Sequence, residues 1–167
     1  MILSLVITAI FVAPLLAACY TDFSEMKIPN WVSAAALVGF AAALPFTWAG
    51  LEWFGEHMAV GGLLFAFGFV LWMIGGLGAG DVKLMGAVGL WFGFAEAIHF
   101  VLYTTLFGAA LGLFLLLGRR FVPVRLEGTV LVDKMFQGKT HMPYGIAIAA
   151  GALTVWPTSQ IALALAG

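Results

Sequence analysis

The stretch MAVGGLLFAFGFVLWMIGGLGAGDVK, residues 58–83, holds an uncharged run from Met58 to Leu77, four glycines between Gly75 and Gly80, and then Asp81 and Lys83. A helix needs roughly 20 apolar residues to cross about 30 Å of hydrocarbon, and the first part of this stretch is that long. Comparable runs extend from Met1 to Ala18, Trp31 to Ala49 and Ile98 to Leu117. A shorter one follows Lys83 as far as Ala95, and another starts at Tyr144 and is interrupted by Pro157. The expectation is an all-α integral membrane protein with six transmembrane helices, residues 1–167 forming one membrane-embedded domain.

Composition agrees. The chain is 63% hydrophobic and 9% charged, with a mean hydropathy of +1.11, whereas soluble domains carry about 25% charged residues. Seven Lys and Arg with eight Asp and Glu are too few to cover a water-soluble fold of 167 residues. A net charge of -1 offers no basic face for phosphates, so nucleic acid is not an expected partner. The single Cys19 excludes an internal disulfide, a Cys-rich zinc site and a CxxC redox pair. Leu16-Ala17-Ala18-Cys19 looks like a lipoprotein cleavage box, but Met1-Ile2-Leu3-Ser4 lacks a positive n-region, so Cys19 is taken as a helix-packing residue.

The cations set the orientation. All Lys and Arg fall at Lys27, Lys83 and the group Arg119, Arg120, Arg125, Lys134 and Lys139, the loops after the first, third and fifth runs. The other loops carry Glu52, Glu56, His57, Glu96 and His99 and no cation. Positive loops stay cytoplasmic, which puts both termini outside. Reading 82–117 as one helix of about 54 Å would split Lys83 from Arg119 across the membrane; a hairpin turning near Glu96 and His99 keeps them together. Glu96-x-x-His99 is half of a di-iron motif without a second copy and is assigned to an interfacial turn. His57 and His141 are expected to be hydrated loop residues. Gly89-x3-Gly93 and Gly108-x3-Gly112 fit close helix packing.

Ionisable groups near membrane depth are costly unless paired or hydrated, which makes function their default explanation. Asp22 ends the first run, and Asp81 follows the glycines on the same expected side. Two carboxylates in one site hold a proton between them, so one takes a proton from water while the other polarises a carbonyl. The glycines are expected to end the third helix and leave unwound backbone, tolerated at depth only beside a polar cavity. Against this stands the simpler role of Asp81 as a cap for the helix that follows it.

These residues carry a resemblance. Asp22-x4-Lys27-Ile28-Pro29-Asn30, the segment from Gly75 to Gly86 with its GxGD core, and Met142-Pro143-Tyr144-Gly145-Ile146-Ala147 resemble, in order, three motifs of the type IV prepilin peptidases. The resemblance implies a GxGD-type intramembrane aspartyl protease. It would cleave the leader from prepilins at the cytoplasmic face of the bacterial inner membrane, without cofactor or metal. Carried over, Asp22 and Asp81 are the catalytic pair, Gly78 and Gly80 shape the loop around Asp81, and Pro143, Tyr144 and Gly145 position the helix they open. Lys83 belongs with these as a substrate-binding or loop-shaping residue. The paired CxxC region that accompanies N-methylation in larger family members has no counterpart here, which makes the chain similar to the short peptidases of Flp-type pilus systems. The partners implied are Flp-like prepilins or pseudopilins, membrane lipid and pilus-assembly proteins. The rival from another class is a non-enzymatic membrane protein, a small proton- or cation-coupled transporter or a scaffold, whose aspartates would form an ion path.

Overall fold

The computed structural model describes residues 1–121 and 142–166, with side chains placed through residue 117 and from 142 to 165. All six expected helical segments are present: α1 (Ile2–Glu25), α2 (Asn30–Thr47), α3 (Leu51–Met73), α4 (Ala79–Gly89), α5 (Phe94–Phe121) and α6 (Tyr144–Val155). The run that begins with α6 continues through a 3-10 turn at Trp156–Thr158 into α7 (Gln160–Ala166), so the break falls at Pro157 as the sequence indicates. Arg125, Lys134, Lys139 and His141, and the side chains of Arg119 and Arg120, lie outside the described residues.

Four helices, α1, α2, α3 and α5, are long and apolar enough to cross a membrane. α4 is not, at 11 residues, and its hydrophobicity has another cause. Eight of its residues are buried, because α2, α3 and α6 pack around it. A helix apolar on every face belongs at the centre of a bundle as readily as in lipid.

The ends of α4 follow from local chemistry. α3 stops in a left-handed glycine cap: Gly75 has φ 80°, its N–H reaches the Trp72 carbonyl at 3.0 Å, and the Gly76 N–H reaches Leu71 at 2.8 Å. Only glycine adopts that backbone without steric cost, and the crossed bonds satisfy carbonyls the helix leaves open. Ile74 to Gly78 are therefore non-helical, as the glycine run implies.

The far end departs from expectation. The chain turns at Leu90–Gly93, not near Glu96 and His99, which both lie within α5. Trp91 and Phe92 are fully buried in that turn. Trp91 donates its indole N–H to the Ala36 carbonyl at 3.1 Å, and its ring packs against those of Phe11 and Trp156, with centroids 5.1 and 5.8 Å away. Two large aromatics anchored in the core fix the turn where they stand. Gly89 follows the packing expectation, since a Cβ there would lie 2.8 Å from Leu64 of α3; Gly93 does not, because it sits in the turn against Glu56, Glu96 and Gln160.

Candidate active site

Asp22 lies in the last turn of α1 and Asp81 in the first turn of α4. Both are buried, at 5% and 7% exposure. The first four N–H groups of a helix have no partner within it, and a carboxylate is the group they favour most. Asp81 turns back on its own helix: Oδ2 accepts the N–H of Gly78, the N-cap of α4, at 3.0 Å. The capping role anticipated for this residue is therefore real, but it occupies one oxygen. Oδ1 is buried and has no hydrogen-bond partner among the described residues.

Asp22 does the same for a distant helix. α6 opens at Pro143, which supplies no side-chain cap. Asp22 fills the position from α1, its Oδ2 accepting the Gly145 N–H at 2.7 Å, with the Ile146 N–H also directed at the carboxylate. Three chain segments thus meet at one point, and Ile28 holds them in register. A Cβ on Gly80 would lie 2.9 Å from both the Cβ and the carbonyl oxygen of Ile28; one on Gly145 would lie 2.6 Å from Ile28 Cδ1 and 2.8 Å from Asp22 Oδ2. Glycine at 80 and 145 is what lets the first turns of α4 and α6 close on the α1–α2 loop.

Asp81 lies outside the four spanning helices, and its carboxyl is pushed up to about 7. Burial is the larger cause; the neighbouring Asp22 charge adds to it, and the Gly78 N–H opposes both. A carboxyl raised this far can hold its proton near neutral pH. Beside it runs the backbone of Ile74–Gly78, with Gly75 and Gly76 exposed.

The remaining candidates divide. Gly78 is the cap partner of Asp81 and Gly80 the contact with Ile28. Pro143 is buried ahead of α6, and the Tyr144 hydroxyl lies against α5, 2.9 Å from where a Cβ on Gly108 would stand. Lys83 points elsewhere: its exposed ammonium donates to Asn30 Oδ1 at 2.8 Å, tying α4 to the start of α2. Ile28 and Asn30 belong to the first motif, yet nothing in their spacing announced these contacts.

A second polar cluster, at the opposite ends of the helices, corrects two expectations. His57 is not a hydrated loop residue; it lies in α3, fully buried under Trp53 and beside Phe40, with Nδ1 donating to the Leu90 carbonyl at 2.8 Å. Glu96 is not in an interfacial turn but in the first turn of α5, 8% exposed, its Oε1 accepting the Gln160 N–H at 3.2 Å. His99 is exposed and bonds within its own helix, to the Ala95 carbonyl. Among the described residues, no three His, Cys, Asp or Glu side chains are arranged to hold a metal ion.

Comparison with known proteins returns one family. The model of the type IV leader peptidase family matches residues 9–113, a segment that includes both aspartates and the glycine loop. No curated protein and no solved structure matches the chain.

Proposed function

The chain belongs to the type IV leader peptidase family, and on that premise we propose that it is an aspartic-type endopeptidase whose catalytic pair is Asp22 and Asp81. The observation that carries this reading is the meeting of two buried carboxylates from α1 and α4, close enough for the charge of Asp22 to raise the proton affinity of Asp81. The substrates are Flp-like prepilins or pseudopilins, whose leader is removed at the cytoplasmic face of the inner membrane. Both chain termini lie outside, since Lys27 and Lys83 flank the site.

The chemistry follows from the geometry. A scissile bond must leave its helix to be cut, because helical hydrogen bonds shield the carbonyl carbon, and the non-helical glycine segment before α4 offers bare backbone beside which an extended peptide can lie. The ionised member of the pair takes a proton from a water molecule as the oxygen attacks the carbonyl; the protonated member donates to the carbonyl oxygen. Collapse of the tetrahedral species returns a proton to the leaving amine. Asp81 Oδ1, without a hydrogen-bond partner among the described residues, is the oxygen left to take up water or substrate.

The test is co-expression with a Flp-type prepilin, following its size shift beside Asp22→Asn and Asp81→Asn. Cleavage by the unsubstituted chain alone supports the reading. Cleavage that survives either substitution removes that residue from the pair, and an uncleaved panel of prepilins with folded, inserted protein moves the aspartates to an ion-conducting role.

A further inference from the structure

α2 and α3 are consecutive, yet both pack on α4 rather than along each other. They meet where Phe40 faces Trp53 and His57, with ring centroids 6.5 and 6.0 Å apart. From there toward Asn30 a cleft of about 460 Å³ runs between them, with α4 as its floor.

Polarity along this cleft is ordered. At its mouth Lys83 donates to Asn30 Oδ1 at 2.8 Å. That bond occupies one lone pair of the asparagine oxygen and leaves its NH₂ and the other ammonium protons, a set dominated by donors. Among the described residues, no acidic side chain lines the cleft. One turn deeper stands Ser33, 5% exposed, its hydroxyl buried without a partner among the described residues. Buried hydroxyls are rarely left so. Beyond it the lining is apolar, with Leu37 from α2, Phe65 from α3 and Leu90 from the turn after α4.

Cation, then hydroxyl, then hydrocarbon is the order of phosphate, ester and acyl chain. We propose that the α2–α3 cleft binds one anionic phospholipid, its phosphate on Lys83 and Asn30, an ester oxygen at Ser33 and an acyl chain between α2 and α3. A docked protein helix fits less well, because its backbone groups are satisfied internally and give the mouth and Ser33 nothing. The cytoplasmic leaflet, where Lys83 is expected, carries the anionic lipid. The bound lipid joins α2 to α4 two residues beyond Asp81 and braces the helix that carries it. This site does not depend on the peptidase reading.

The test is native mass spectrometry of the delipidated full chain titrated with phosphatidylglycerol and, separately, phosphatidylcholine, on variants first shown to be folded by size exclusion and circular dichroism. The unsubstituted chain should retain one phosphatidylglycerol at least fivefold more tightly than phosphatidylcholine. Lys83→Gln should abolish that preference and Lys83→Arg preserve it. Ala34→Phe, which fills the cleft from its exposed wall, should remove the tightly held lipid. Equal retention of the two lipids, or phosphatidylglycerol held undiminished by Ala34→Phe, overturns the proposal. So does a photocrosslinker at Leu37 that labels polypeptide instead of lipid in membranes.

Discussion

At one end of the bundle Asp22 and Asp81 cap the first turns of α6 and α4; at the other, Glu56 and Glu96 cap those of α5 and α7, through bonds of 2.7 Å to the Phe94 N–H and 3.2 Å to the Gln160 N–H. Each end also keeps one buried carboxylate oxygen without a partner among the described residues, Oδ1 of Asp81 and Oε2 of Glu96. Burial and an open lone pair therefore do not distinguish a reactive acid from a structural one. The surroundings do. The aspartates adjoin exposed, non-helical glycine backbone at Gly75 and Gly76. The glutamates converge with the Gln160 amide over Gly93, and the neighbouring Trp91 and Phe92 are fully buried. The same capping device lies beside exposed backbone at one end and under packed side chains at the other.

That contrast is broken most directly by neutralising each pair. Asp22→Asn or Asp81→Asn should lower prepilin cleavage by about 10²–10⁴-fold, the usual contribution of acid–base groups, while Glu56→Gln and Glu96→Gln should cleave at nearly the parental rate. A glutamate variant as inactive as the aspartate ones would merge the two ends into one mechanism. The pH profile sharpens the point. With Asp81 raised to about 7, its proton is lost as pH rises through that value, and cleavage should fall roughly tenfold per unit above it. Stability has the same sign. A raised carboxyl contributes most below its unfolded value near 4 and loses that contribution as pH climbs through about 7, so the melting temperature of Asp81→Asn relative to the unsubstituted chain should be higher at pH 8 than at pH 5.

Smaller effects follow from packing. Gly145→Ala sets a methyl 2.6 Å from Ile28 Cδ1 and 2.8 Å from Asp22 Oδ2. Overpacking of this kind costs about 1–3 kcal/mol; cleavage should drop further than the melting temperature of this variant accounts for, because the displaced group is Asp22. Glu56→Ala removes only a cap and should cost about 1 kcal/mol, read as a lower melting temperature with cleavage retained.

Much of this was legible in the residues. Apolar run lengths located all six helical segments, the glycine run located the break before α4, and Pro157 located the break after α6. The turn at Leu90–Gly93 was misplaced because hydrophobicity reports burial without saying whether lipid or protein supplies it; a short central helix and a short span look alike. His57 was misjudged for the converse reason, since its polarity predicted water where Trp53 and Phe40 close over it. The two aspartates stood out as acids beside membrane runs. Their caps did not, because the partner of Asp22 lies 123 positions away and is a backbone N–H that any residue but proline provides.

That separation has a consequence for biosynthesis. At roughly 5–20 residues per second, Asp22 waits about 6–25 s for the ribosome to reach Gly145. Until then α1 ends in a carboxylate without its N–H donors, and the point where α1, α4 and α6 meet does not exist. A nascent chain that already carries both aspartates thus still lacks the junction that holds them, and α6, a late helix to leave the ribosome, is the one that completes it.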